Sequence, residues 1–166
     1  MTVRRALPTA LLAAAAAAAA SALPAQAQDA APTRLWATVN VCDTTGMPNT
    51  VGVRASMPGT GNARQRMFMR FALEYRDGAT WRSVGSTADS GFVALGSARF
   101  AARRTGRSFV VPPPAGGSYE LRGRVTFEWR RGDRVVRRLV RRTSAGHPTG
   151  AGDPAGFSAA TCRVAD

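Results

Sequence analysis

One stretch decides the fold: Tyr119-Glu120-Leu121-Arg122-Gly123-Arg124-Val125-Thr126-Phe127-Glu128-Trp129-Arg130. Its odd-numbered positions are apolar or glycine, and its even-numbered positions are charged or polar. Successive side chains of a β-strand point to opposite faces, so only a half-buried strand explains this pattern. We therefore expect a long strand with one face on a core and an arginine- and glutamate-bearing face toward solvent.

The same period of two recurs along the chain before this stretch. Alternating runs occupy 35–42, 51–57 and 67–75, and the turn signals Asp77-Gly78 and Arg131-Gly132-Asp133 mark hairpins. After the second turn, Val135 and Val136 double the apolar pattern, and a bulge would reconcile them with a strand. The sequence predicts an all-β antiparallel two-sheet sandwich of about seven or eight strands.

Residues 1–27 have the order of a secretory signal peptide. Arg4 and Arg5 precede an apolar run with eight consecutive alanines, and Ala25-Gln26-Ala27 is a small-x-small cleavage site. Cleavage between Ala27 and Gln28 leaves a single domain, 28–166. Loss of the two arginines lowers the formal charge from +13 to +11. We expect a secreted protein, periplasmic or extracellular, without a transmembrane anchor; general and twin-arginine export both stay open.

Export makes the two cysteines informative. An even cysteine count in a secreted chain favours one intramolecular disulfide. We expect Cys42, in the first predicted strand, to pair with Cys162 near the chain end. Free or intermolecular thiols are the alternative.

The segment Gly116–Val125 resembles the penultimate-strand region of secreted bacterial immunoglobulin-like and fibronectin type III-like domains. This resemblance implies a β-sandwich in which Tyr119 forms the structural tyrosine corner. Trp81 approximately matches the packed tryptophan of the third-strand region. The antibody-type cysteine pair is absent, because Leu121 stands two residues after Tyr119.

All 23 basic residues are arginines, and they concentrate around the second hairpin. If its strands pair, one face should collect guanidinium groups, which bind phosphate and carboxylate through two parallel hydrogen bonds. No aromatic residue alternates with these arginines, so base stacking is poorly served. We expect an anion-binding face formed by Arg122, Arg124, Arg137, Arg138, Arg141 and Arg142. The alternative is a solvated face that reflects arginine-rich composition alone.

The composition provides little for catalysis. One histidine excludes multi-histidine metal sites, and no EF-hand, P-loop or HExxH motif occurs, so we expect no cofactor and no metal. Glu74, His147 and Asp153 are the best ingredients for an enzyme. The leading hypothesis is a non-enzymatic binding or adhesion module without catalytic residues. Its candidate partners are an envelope glycan, teichoic acid, nucleic acid or another protein. The alternatives are a small secreted enzyme with an unrecognised site and a structural or inhibitory protein.

Overall fold

The computed structural model describes residues 35–166, which form an all-β structure. The predicted signal peptide and its cleavage site between Ala27 and Gln28 lie outside the described residues. No helix within 35–166 has the length and apolar character needed to cross a bilayer. The strands are β1 (Trp36–Thr44), β2 (Met47–Pro58), β3 (Arg66–Asp77), β4 (Thr80–Ser83), β5 (Asp89–Ser97), β6 (Ala102–Val110), β7 (Ser118–Arg131), β8 (Arg134–Arg142) and β9 (Cys162–Ala165).

The strands form two antiparallel sheets. The smaller sheet has the order β1-β2-β6. In the six-stranded sheet β3 and β7 are central neighbours, β4 and β5 share the other side of β3, and β8 and β9 share the other side of β7. The predicted antiparallel two-sheet sandwich is confirmed, with nine strands in the described residues. Residues 92–95, which have no clean alternation in the sequence, lie in β5.

The core lies between the sheets and is filled by the inward halves of the alternating runs. Phe71, Phe127 and Trp129 are among its largest fully buried side chains. Trp129 donates its indole N–H to the backbone carbonyl of Pro58 at 3.1 Å, which links β7 to β2 across the core. A Cβ on Gly123 would lie only 2.8 Å from the Val53 methyl carbons, so the absence of a side chain allows the sheets to approach closely here.

The β7–β8 hairpin contains the irregularity that its doubled apolar residues predict. Arg130 pairs with Val135 and Trp129 with Arg137, so Val136 is the extra residue of a bulge. The predicted strand after the second turn is therefore confirmed, and it spans Arg134–Arg142. Pairing with the long β7 strand decided the conformation.

The Cys42–Cys162 disulfide is confirmed, with the two Cα atoms 5.4 Å apart. It joins β1 of the smaller sheet to β9 of the larger one. A register shift between Val39 and Val41 places Cys42 opposite the core residue Val51. Val41 is buried outside the main core cluster.

The last strand, β9, is short and spans only Cys162–Ala165. The preceding segment lies along β1 instead, where Val39 and Ala159 exchange two backbone hydrogen bonds of 3.0 Å. Thr38 and Asn40 are buried because they hydrogen-bond to Ser158 and to residue 151 of this segment.

Candidate functional site

Strands β7 and β8 bring four of the predicted arginines onto the outer face of the six-stranded sheet. Arg122 and Arg124 alternate with buried β7 residues and therefore point outward. The register places Arg142 opposite Arg124 and Arg138 opposite Glu128, on the same side of the sheet. We call this surface the arginine face. Its β3, β7 and β8 arginines are Arg66, Arg70, Arg76, Arg122, Arg124, Arg130, Arg138 and Arg142.

The expectation that Arg137 and Arg141 join this face is wrong. Arg141 pairs with Val125 and Arg137 with Trp129, and both partners point into the core side of the sheet. The Arg137 guanidinium lies 4.9 Å from the Trp129 ring centre. Because side chains alternate along a strand, adjacent arginines of β8 must lie on opposite faces. The arginines of this hairpin are therefore divided between the two faces of the sheet.

Glu128 is the anchor at one end of the arginine face. Its exposed fraction is 0 %, although it points to the outer side of the sheet. One carboxylate oxygen accepts hydrogen bonds from Arg130 at 2.6 and 2.7 Å, and the other accepts one from Arg138 Nε at 2.6 Å. A buried carboxylate requires such partners, because desolvation otherwise makes its charge very costly. The Arg138 side chain remains 61 % exposed, and its hydrogen bond to Glu128 is made through Nε.

Glu74 organises the opposite end of the face. Its Oε2 accepts hydrogen bonds from Arg122 at 2.7 and 2.8 Å. Arg124 and Arg142 each approach the same carboxylate at 3.7 Å, outside normal hydrogen-bond distance. One negative charge is thus shared by three guanidinium groups, which leaves a positive excess at this end.

Aromatic rings from neighbouring strands support the arginines. The Arg122 guanidinium lies 4.1 Å from the Trp81 ring centre, and that of Arg130 lies 4.2 Å from Phe68 and 4.6 Å from Phe92. The expectation of an arginine face without aromatics is wrong, because it considered only β7 and β8. Phe68 was the missed signal, since it interrupts the polar side of β3 between two buried methionines.

A third ion pair lies at the β5 side of the face. Arg70 donates hydrogen bonds to both carboxylate oxygens of Asp89, in part through Nε at 2.8 and 2.9 Å. This hydrogen bonding holds the pKa of the Asp89 carboxyl below its ordinary value, despite partial desolvation, which raises it. The same contact raises the pKa of Arg70. Both groups are therefore charged at neutral pH.

A shallow depression of about 190 Å³ lies in the middle of the arginine face. Three arginines from three strands surround it: Arg70 of β3, Arg124 of β7 and Arg138 of β8. The remaining lining residues are Thr126, Phe92 and Val140. Thr126, on the outward side of β7, is 8 % exposed. The depression therefore combines hydrogen-bond donors with a small apolar surface.

The structure does not bring the candidate enzyme residues together. Glu74 lies on the arginine face, whereas His147 stacks on Trp36 with ring centres 4.8 Å apart. Asp153 accepts a hydrogen bond from Thr44, at the other end of β1. Trp36 and Thr44 are separated by about 26 Å of strand. The described residues contain no cluster of three or more His, Cys, Asp or Glu side chains that could hold a metal ion.

Tyr119, the predicted tyrosine corner, begins the long β7 strand and pairs with Val164. Its ring lies 5.8 Å from that of Tyr75, and the two rings line a cavity of about 350 Å³ at that end of the sandwich. The tyrosine-corner role stays a prediction.

The chain was compared with protein-family models, with curated proteins and with solved structures, and none of the three comparisons gave a match.

Proposed function

We propose that this protein is a secreted, non-enzymatic β-sandwich module that binds an anionic polymer through the arginine face. The observation that carries the proposal is the excess of arginine over carboxylate groups on that face. Glu74, Glu128 and Asp89 each hold at least one guanidinium group, and the arginines around them still outnumber the acids. The face therefore stays positive while its side chains are held in place.

The dimensions of the face favour a polymer over a single ion. Outward-facing residues two apart on a strand are about 7 Å from each other, and Arg122 and Arg130 are about 26 Å apart along β7. A repeating series of anionic groups could contact several guanidinium groups in succession. Binding of this kind releases condensed counterions and weakens steeply with salt.

We also propose that the domain is immunoglobulin-like and that the protein is exported from the cytoplasm. The strand order supports an immunoglobulin-like arrangement, because β1-β2-β6 facing β3-β7-β8 corresponds to strands A, B and E facing C, F and G. A disulfide is compatible with an oxidising compartment outside the cytoplasm. Intact-mass measurement on exported protein should give a chain beginning at Gln28. A chain that keeps the alanine run would contradict the signal-peptide assignment.

The split hairpin provides a matched test of the binding face. Arg124→Gln with Arg142→Gln removes two charges from the arginine face and leaves Glu74 paired with Arg122. Arg137→Gln with Arg141→Gln removes two charges from the same hairpin on the opposite side. On a heparin column, the first double variant should elute at clearly lower salt than the second.

Equal elution of the two double variants would contradict the proposal, because net charge alone would then govern retention. Circular dichroism of both variants should match that of the wild type. Elution of the second variant before the first would place binding on the opposite side of the hairpin.

A further inference from the structure

We propose that the depression ringed by Arg70, Arg124 and Arg138 is a subsite for the monoester of a tetrahedral oxyanion, a phosphate or sulfate ester. This inference rests on the proposed function, because it names the chemical group that the arginine face takes from its polymer. It assigns that group to one place on the face and predicts which anions are rejected.

The arrangement of donors favours a tetrahedral anion. Arg70, Arg124 and Arg138, which line the depression, come from three strands, β3, β7 and β8. A carboxylate has two oxygens in one plane, which a single guanidinium fork satisfies. A phosphate or sulfate monoester presents three terminal oxygens in three directions. Those oxygens match guanidinium donors supplied from three strands, and Thr126, which also lines the depression, carries a hydroxyl donor.

The apolar lining favours an ester over the free inorganic ion. Phe92 is 37 % exposed and, with Val140, borders the depression beside the arginines. An inorganic ion would leave this surface in contact with water. A carbon group attached to the fourth oxygen would cover it and gain the burial of apolar area.

Two acids position the donors. Glu128 binds Arg138 through Nε alone, so the NH1 and NH2 ends remain available to a ligand. Asp89 holds Arg70 through Nε and NH2 and leaves NH1 available. Neither acid would touch the anion. They are positioning residues that lower the entropy cost of ordering long side chains when the ligand binds.

The direct test is calorimetric titration of the complete exported protein with small probes at low salt. Phenyl phosphate and phenyl sulfate are the two ester arms, and their ranking distinguishes a phosphate from a sulfate source. Inorganic phosphate, inorganic sulfate and benzoate are the comparison ligands. At least one ester should bind more tightly than its inorganic anion and than benzoate. Benzoate binding as tightly as both esters would overturn the inference.

Removal of a positioning acid separates a built subsite from general attraction. Glu128→Gln raises the net positive charge, so diffuse electrostatics predicts tighter binding. Loss of the Arg138 anchor should instead weaken ester binding, by about three- to tenfold. Glu120→Gln is the matched control, because this 42 %-exposed acid lies on the same sheet face and does not line the depression. It should leave ester binding unchanged or slightly stronger.

A second variant keeps the test decisive if Glu128→Gln does not fold. Asp89→Asn removes the Arg70 anchor at the edge of the face and should weaken ester binding in the same direction. Tighter ester binding by either anchor variant, or equal effects of Asp89→Asn and Glu120→Gln, would overturn the inference. Heparin retention by the arginine face together with failed ester binding would leave the proposed function standing and refute only the subsite.

Discussion

Removal of the disulfide should cost a large part of this domain's stability. The bond closes a loop with a sequence separation of 120 residues and ties β1 of one sheet to β9 of the other. For a loop of that length the chain-entropy model gives about 5 kcal/mol at 25 °C. Measured effects often fall below the model, so we expect Cys42→Ala with Cys162→Ala to lose about 3–5 kcal/mol of unfolding free energy. Total stabilities of single domains are about 5–15 kcal/mol.

The assay is urea denaturation of residues 28–166, followed by tryptophan fluorescence and by far-ultraviolet circular dichroism. The wild type is measured oxidised and in dithiothreitol, and the double variant is measured in both conditions. Reduction should destabilise the wild type and leave the variant unchanged. The urea dependence of the unfolding free energy should increase without the bond, because a chain without the cross-link exposes more surface when it unfolds.

A double variant within about 1 kcal/mol of the oxidised wild type would refute this reasoning. It would mean that the close packing of the sheets, and not the covalent link, holds β1 and β9 together. Val164, which lies two residues after Cys162 and is fully buried, would then contribute to the packing that holds β9 in place.

Two further predictions concern packing and pH. Gly123→Ala should lower the unfolding free energy by about 1–3 kcal/mol, because its Cβ would lie 2.8 Å from the Val53 methyl carbons. If denaturant titrations show no loss of stability, the two sheets can separate at this point at little cost, and the prediction is wrong. The Asp89 carboxyl has its pKa held below the ordinary value by Arg70, so its contribution is present above the unfolded-state pKa of about 3.9 and is lost as pH falls through the folded-state pKa. The stability difference between wild type and Asp89→Asn should therefore be constant above about pH 5 and shrink below about pH 4, and a difference independent of pH down to pH 2 would contradict this assignment.

The fold class follows from local pattern, because a period of two over many residues is compatible with little except half-buried strands. The alternation in β7 predicts which of its side chains point inward. Leu121, Val125 and Phe127 are buried as this pattern predicts. The disulfide was predictable from a count of two cysteines in a chain whose first 27 residues predict an export signal. These inferences needed no knowledge of which strands are neighbours.

The places where strict alternation fails, in β1 and β8, depend on how the strands pair in the tertiary structure. Strict alternation along β1 would set Cys42 on the opposite face from Val39, but the register shift between Val39 and Val41 places Cys42 opposite the core residue Val51. The same limit applied to β8, where the hairpin register assigned Arg137 to one side of the sheet and Arg138 to the other. A one-residue shift moves every following side chain to the other face, so register cannot be read from composition.

The sequence by itself therefore determined an all-β chain with a long amphipathic strand, one cysteine pair and an excess of arginine. Only the tertiary structure decided that Glu128 would be buried between Arg130 and Arg138. It also decided that Phe68 and Phe92 would support the Arg130 guanidinium. The depression among Arg70, Arg124 and Arg138 also depends on that structure, because its residues come from four strands, β3, β5, β7 and β8. Contacts between such strands arise when sheets pair and pack, and each strand alone contains only part of the site.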